Sequence, residues 1–222
     1  MPLFQDFADR FVGTVALSLQ KRTAEDIDRL LRGILDTAVA LWEETNWMTF
    51  DSQETNCTVQ LYRWCKEACR HDPRFALVVP QLEWIDVTAA VMSGAESVKS
   101  ARRPDLRFDV GATGRSVECK RLGPVGGRPR AYVYDGLARF VVGRYGHGEP
   151  VGYMVGYVQA GEIPDLVVRI NDQVAGHPKM GPDQELSPLQ DYESSSWSRS
   201  SHPRASDMSI RIDHLLVNLL SH

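Results

Sequence analysis

Residues 102–122, RRPDLRFDVGATGRSVECKRL, decide how the chain is read. DLRFDV (105–110) and RSVECKRL (115–122) mix apolar and charged side chains and flank Gly111-Ala-Thr-Gly114, which predicts a β-hairpin. Successive strand side chains point to opposite faces, so Val117 and Cys119 suit a core while Glu118 and Lys120 share the other face, about 6–7 Å apart. Asp105 opens the partner strand, and the turn brings it back to the same neighbourhood. Two carboxylates and an ammonium so placed suit phosphodiester cleavage. Carboxylate oxygens bind a hard cation such as Mg²⁺ or Mn²⁺. The cation polarises the phosphate and acidifies bound water. The lysine offsets charge in the transition state.

Outward from the hairpin, the first third of the chain is helical in pattern. Phe4, Phe7, Phe11, Val12, Val15 and Leu17 recur at helical spacing. Thr23 with Asp26 resembles a capping box opening a second helix, DIDRLLRGILDTAVALWEE. A third helix is expected from Asp51 to Arg70, stopped by Asp72-Pro73. FALVV (75–79) reads as a strand, with Pro80 marking a bulge or a sheet edge. After the hairpin come a helix in RAYVYDGLARFVVGRYG, a strand at 151–158 and a short helix ending at Gly176. Residues 177–207, rich in Pro, Ser and charge, read as an extended loop, and SIRIDHLLVNLL reads as a last strand.

Composition is that of an ordinary globular chain: 222 residues, 43% hydrophobic, 24% charged. No apolar run reaches membrane-spanning length, and the N-terminus lacks the basic flank and apolar block of a signal peptide. The four cysteines form no C-x-x-C pair, so free thiols in a reducing cytoplasm are expected. Net charge is −4, yet residues 96–130 hold nine basic groups against four acids. That surplus of five leaves −9 for the rest. A basic zone on an acidic body is what a phosphate-facing site needs. The Gly123-Pro-Val-Gly-Gly127 run lacks the Gly-Lys-Ser/Thr end of a nucleotide loop.

Pro104-Asp105 followed by Glu118-Cys119-Lys120 resembles the signature of the PD-(D/E)XK phosphodiesterase superfamily, the restriction-endonuclease-like nucleases. The likeness covers Asp51 to Val158. It implies an α/β fold with an α-β-β-β-α-β core and mixed sheet, Asp opening the second strand and Glu-x-Lys on the third. Residues 1–50 would then be an N-terminal helical extension, and 51–222 the nuclease-like domain with an extra C-terminal helix and strand. The resemblance further implies a Mg²⁺-dependent DNA nuclease of restriction or anti-phage defence. Asp105 and Glu118 would be metal ligands, with the Cys119 carbonyl a third. Lys120 would be the base or transition-state stabiliser, and Glu54 an accessory carboxylate from the first core helix. DNA is the implied substrate, with a protein partner for target recognition and assembly as a homodimer or complex subunit. Glu83, Asp109 and Arg103 are weaker candidates. His202 and His214 could shuttle protons near a hydrolytic site but read as packed or surface residues, and Arg139 and Tyr145 as parts of an amphipathic helix. The rivals are a DNA-repair nuclease and a non-catalytic nucleic-acid-binding or assembly subunit that keeps the fold.

Overall fold

The computed structural model describes residues 17–45, 53–83, 92–93, 103–111, 113–146, 148–192, 194–204 and 208–219, with side chains from residue 25 onward. Of the expected first helix over 4–19, residues 4–16 lie outside these residues, and 17–19 belong to the helix that starts at Leu17. Seven strands form one open mixed sheet: β1 Val78–Leu82, β2 Leu106–Val110, β3 Thr113–Leu122, β4 Val151–Val158, β5 Ser187–Asp191, β6 Ser195–His202 and β7 Ile210–Asn218. Their order across the sheet is β1-β2-β3-β4-β7-β6-β5. The central pairs β3–β4 and β4–β7 are parallel, and the outer pairs are antiparallel.

Four described helices cover the two faces. Helices α1 (Leu17–Glu44) and α2 (Glu54–His71) pack on one face, where Val117, Cys119, Tyr153, Val155 and Tyr157 point. The helix of residues 128–141 (α3) and α4 (Ile163–Ala175) cover the other, over Leu122, Met154, Val158 and Leu216. The alternation along β3 and β4 that the sequence suggested thus divides the molecule into two cores. Asp28, 2% exposed, ties α1 to the sheet by accepting from Arg115 Nε at 2.9 Å and Arg211 Nη2 at 2.8 Å. Among the described residues no helix is long and apolar enough to cross a membrane.

Three expectations need correction. The helix does not begin at Thr23: α1 runs unbroken from Leu17, because good helix formers lie on both sides and no Gly or Pro interrupts before Gly33. Phe75 belongs to a short 3₁₀ turn, Pro73–Phe75, and β1 starts only at Val78. Pro80 sits inside β1, which is tolerated because β1 is an edge strand. Most important, residues 177–207 are not an extended loop. They supply the β5–β6 hairpin, and β6 pairs with β7 along its full length.

Candidate active site

The site is made by an overhang. β2 pairs with β3 only from Thr113 to Val117, whereas β4 pairs with it from Val117 to Leu122. Beyond Val117 the side of β3 that β2 would cover has no strand partner among the described residues, and its backbone N–H groups need acceptors. Two carboxylates supply them. Asp105, just before β2, accepts the Cys119 N–H on Oδ2 at 2.7 Å. Glu54, in the first turn of α2, accepts the Arg121 N–H on Oε2 at 3.1 Å. Both acids are therefore fixed against β3 by the same backbone that carries Glu118 and Lys120.

Between them stands Lys120, 8% exposed. Its Nζ donates to Glu118 Oε1 at 2.8 Å, Glu54 Oε1 at 3.1 Å and the Cys119 carbonyl at 2.7 Å. Glu118 is wholly buried, and its Oε1 also accepts from Arg139 Nη1. Its buried Oε2 has no hydrogen-bond partner among the described residues. Burial, followed by the neighbouring Asp105 charge, pushes the Glu118 carboxyl up to about 7, against the pull of Lys120 and Arg139. Burial raises Asp105 too, while Lys120 and the Cys119 N–H oppose it. Burial works against the Lys120 ammonium, but Glu118 and Asp105 outweigh it and hold its pKa above the ordinary range.

The structure thus brings Glu54, Asp105, Glu118 and Lys120 together, with the Cys119 carbonyl engaged by Lys120. The Cys119 side chain lies in the opposite core. The weaker candidates fall elsewhere. Asp109 shares the Asp105 face but binds Arg107 Nε at 2.8 Å and Gln81. Glu83 follows β1 at φ 48°, its N–H on the Asp105 carbonyl. Arg103 touches the site through its backbone, its carbonyl accepting from Tyr145 Oη. His202 and His214 are fully buried, joined by Ser200 Oγ at 2.7 and 2.8 Å, and His214 reaches Tyr132 Oη at 2.9 Å. Of the packed and surface readings, the structure gives the packed one. Arg139 is the site residue the sequence did not single out.

The oxygen set suits a hard cation: two adjacent carboxylates, one with a buried, unpartnered oxygen. Among the described residues no three His, Cys, Asp or Glu side chains form a ready-made cage. Mg²⁺ commonly takes only one or two carboxylates and fills its octahedron with water and substrate. Comparison of the chain with protein-family models, curated proteins and solved structures gave no match.

Proposed function

We propose that this protein is a metal-dependent nuclease that hydrolyses DNA phosphodiester bonds. The observation that carries the reading is the β3 overhang, which gathers Glu54, Asp105, Glu118 and Lys120 while leaving Glu118 Oε2 buried and unpartnered. The element order from Glu54 to Val158, α-β-β-β-α-β, agrees with the restriction-endonuclease-like core that the motif implies. Restriction or anti-phage defence as the setting, and a partner protein for target choice, rest on that resemblance alone.

Asp105 and Glu118 would hold Mg²⁺ or Mn²⁺, which supplies charge to the scissile phosphate and acidity to a bound water. The chain's own groups have separate tasks. Lys120, kept protonated by its acidic neighbours, offsets charge that builds on the phosphate oxygens. Glu54 orients that ammonium from the α2 terminus. Burial of Glu118 beneath α3 keeps bulk water from the carboxylate that must meet the cation.

A second reading has its own support. Asp105 Oδ2 and both Glu54 oxygens already cap β3 and Lys120, a structural role that a non-catalytic nucleic-acid-binding subunit would equally need. Supercoiled and linear DNA incubated with wild type, Lys120→Ala and Asp105→Ala, with and without Mg²⁺ or Mn²⁺, separates the two. The nuclease cuts only with metal, and Lys120→Ala cuts about 10²–10³-fold more slowly. DNA binding without any cutting by wild type would replace the enzyme with the binding subunit.

A further inference from the structure

α3 is not a uniform helix. It opens with an α-turn at Arg128–Ala131, widens to a π-segment over Tyr132–Leu137 and closes as α over Ala138–Val141. Such π-insertions rotate the next turn of helix out of its regular phase and recur at functional sites. The π-segment presses close to the site. A Cβ on Gly136 would lie 2.7 Å from the flexible end of Met154, at Cε, and 3.4 Å from Lys120 Cγ, so α3 runs close over β4 and β3 here. Just beyond that contact Arg139 reaches Glu118 Oε1.

Arg139 does more than pair with Glu118. Its Nη1 also donates to Tyr145 Oη at 3.1 Å, and its guanidinium lies 5.6 Å from the centre of the Tyr145 ring. Tyr145 Oη donates onward to the Arg103 carbonyl at 2.9 Å, two residues before Asp105. A continuous chain of contacts therefore runs from Glu118 through Arg139 and Tyr145 to the segment that delivers Asp105. With Lys120 and Arg139 both on Oε1, Oε2 is the only Glu118 oxygen left for a cation. Arg139 keeps a third of its side chain exposed, and its Nε and Nη2 make no hydrogen bond among the described residues.

We infer that Arg139 is a binding and positioning residue of this site: it fixes Glu118 through Nη1, and its remaining N–H groups receive a non-bridging oxygen of the substrate phosphodiester. Guanidinium suits the double task because its donors lie in a rigid planar fork that can hold a carboxylate, a phenol and a phosphate oxygen together. The inference rests on the nuclease reading for its catalytic half, and only on phosphate binding for the other half.

The test uses Arg139→Ala, Arg139→Lys and Tyr145→Phe in the full chain. Steady-state cleavage of duplex DNA with Mg²⁺ gives kcat and KM. Fluorescence anisotropy with a labelled duplex, metal-free, gives affinity across a salt series. Arg139→Ala is expected to lower kcat about 10²-fold and to reduce the slope of log affinity against log salt by about 1, the signature of one lost phosphate contact. Arg139→Lys keeps that slope but not kcat, because an ammonium lacks the fork. Tyr145→Phe removes one of the two anchors of Nη1 and lowers kcat with the slope intact. Wild-type kcat and slope in Arg139→Ala overturn the inference, and so does a lowered melting temperature with an unchanged slope, which would make Arg139 a structural strut. If wild type never cuts DNA, the nuclease reading fails, while the salt slope still decides whether Arg139 meets phosphate.

Discussion

Replacing Glu118 by Gln should make the protein more stable and less active, with a distinctive pH dependence. Glu118 is wholly buried, and its carboxyl rises from 4.5 unfolded to about 7 folded, mainly through burial and then Asp105. A raised acid holds its proton more tightly in the folded state. The wild type therefore loses stability as pH climbs from about 4.5 to about 7 and keeps that deficit above it. At about 1.36 kcal/mol per pKa unit the deficit at pH 8 is about 3 kcal/mol. Gln resembles the protonated carboxyl and can still accept from Lys120 and Arg139 through its carbonyl oxygen. Glu118→Gln should then melt about 6–12 °C above wild type at pH 8, with the difference fading to nothing near pH 4.5. Calorimetry across that range measures both curves. Mg²⁺ favours the ionised carboxylate, so it should raise the wild-type melting temperature and leave the variant where it is. A variant less stable than wild type at pH 8, or a gap that does not change with pH, would refute the account of Glu118 as a buried carboxylate held at a cost, with Oε2 left without a partner among the described residues.

Two further outcomes are expected of the buried polar groups. Burial lowers His202 to about 4 and His214 well below its usual value, so both fold neutral, and their contribution is lost as pH falls from about 6.5 toward 4. His202→Gln should reduce acid unfolding by about 3 kcal/mol at pH 4 in denaturant titrations. This trend opposes that of Glu118, so each shows only as a difference against its own variant. Asp28→Ala strands Arg115, 3% exposed, without its carboxylate, and should cost about 3–5 kcal/mol by urea unfolding.

How far each element could be read from the sequence depends on the kind of signal it leaves. The β2–β3 hairpin was legible because its alternation has period two and its turn is bracketed by Gly111 and Gly114, with Gly111 at φ 59°. β6 left no such trace. SSWSRSSH reads as loop by composition, yet Ser195, Ser196, Ser198 and Ser200 are all buried. Ser196 and Ser200 satisfy their hydroxyls on Asp191 and on the two histidines, partners that only the assembled sheet supplies. Arg139 was hidden for another reason: its phase on α3 is set by the π-segment, and a regular spacing of 3.6 residues per turn cannot anticipate that.

The site itself is a consequence of register. Leu106 pairs with Val117 and Val110 with Thr113, so a strand continued back by one residue sets Asp105 opposite Glu118. The thirteen-residue separation of those acids is thus the length of β2, its tight turn and the matching stretch of β3. The end of β2 at Leu106 is what frees the Cys119 N–H for the Asp105 carboxylate and the Arg121 N–H for Glu54. Slippage of the hairpin by one residue would turn Glu118 and Lys120 into the α1–α2 core and bring Cys119 to the other face. Val117 and Cys119, packed beside Leu61, Cys65 and Tyr157, oppose that slip with buried apolar surface. The apolar half of the strand therefore fixes the register that the charged half needs. A single change in that half, Cys119→Asp, should lower the melting temperature and abolish cleavage together, without altering any of the four ionisable residues of the site.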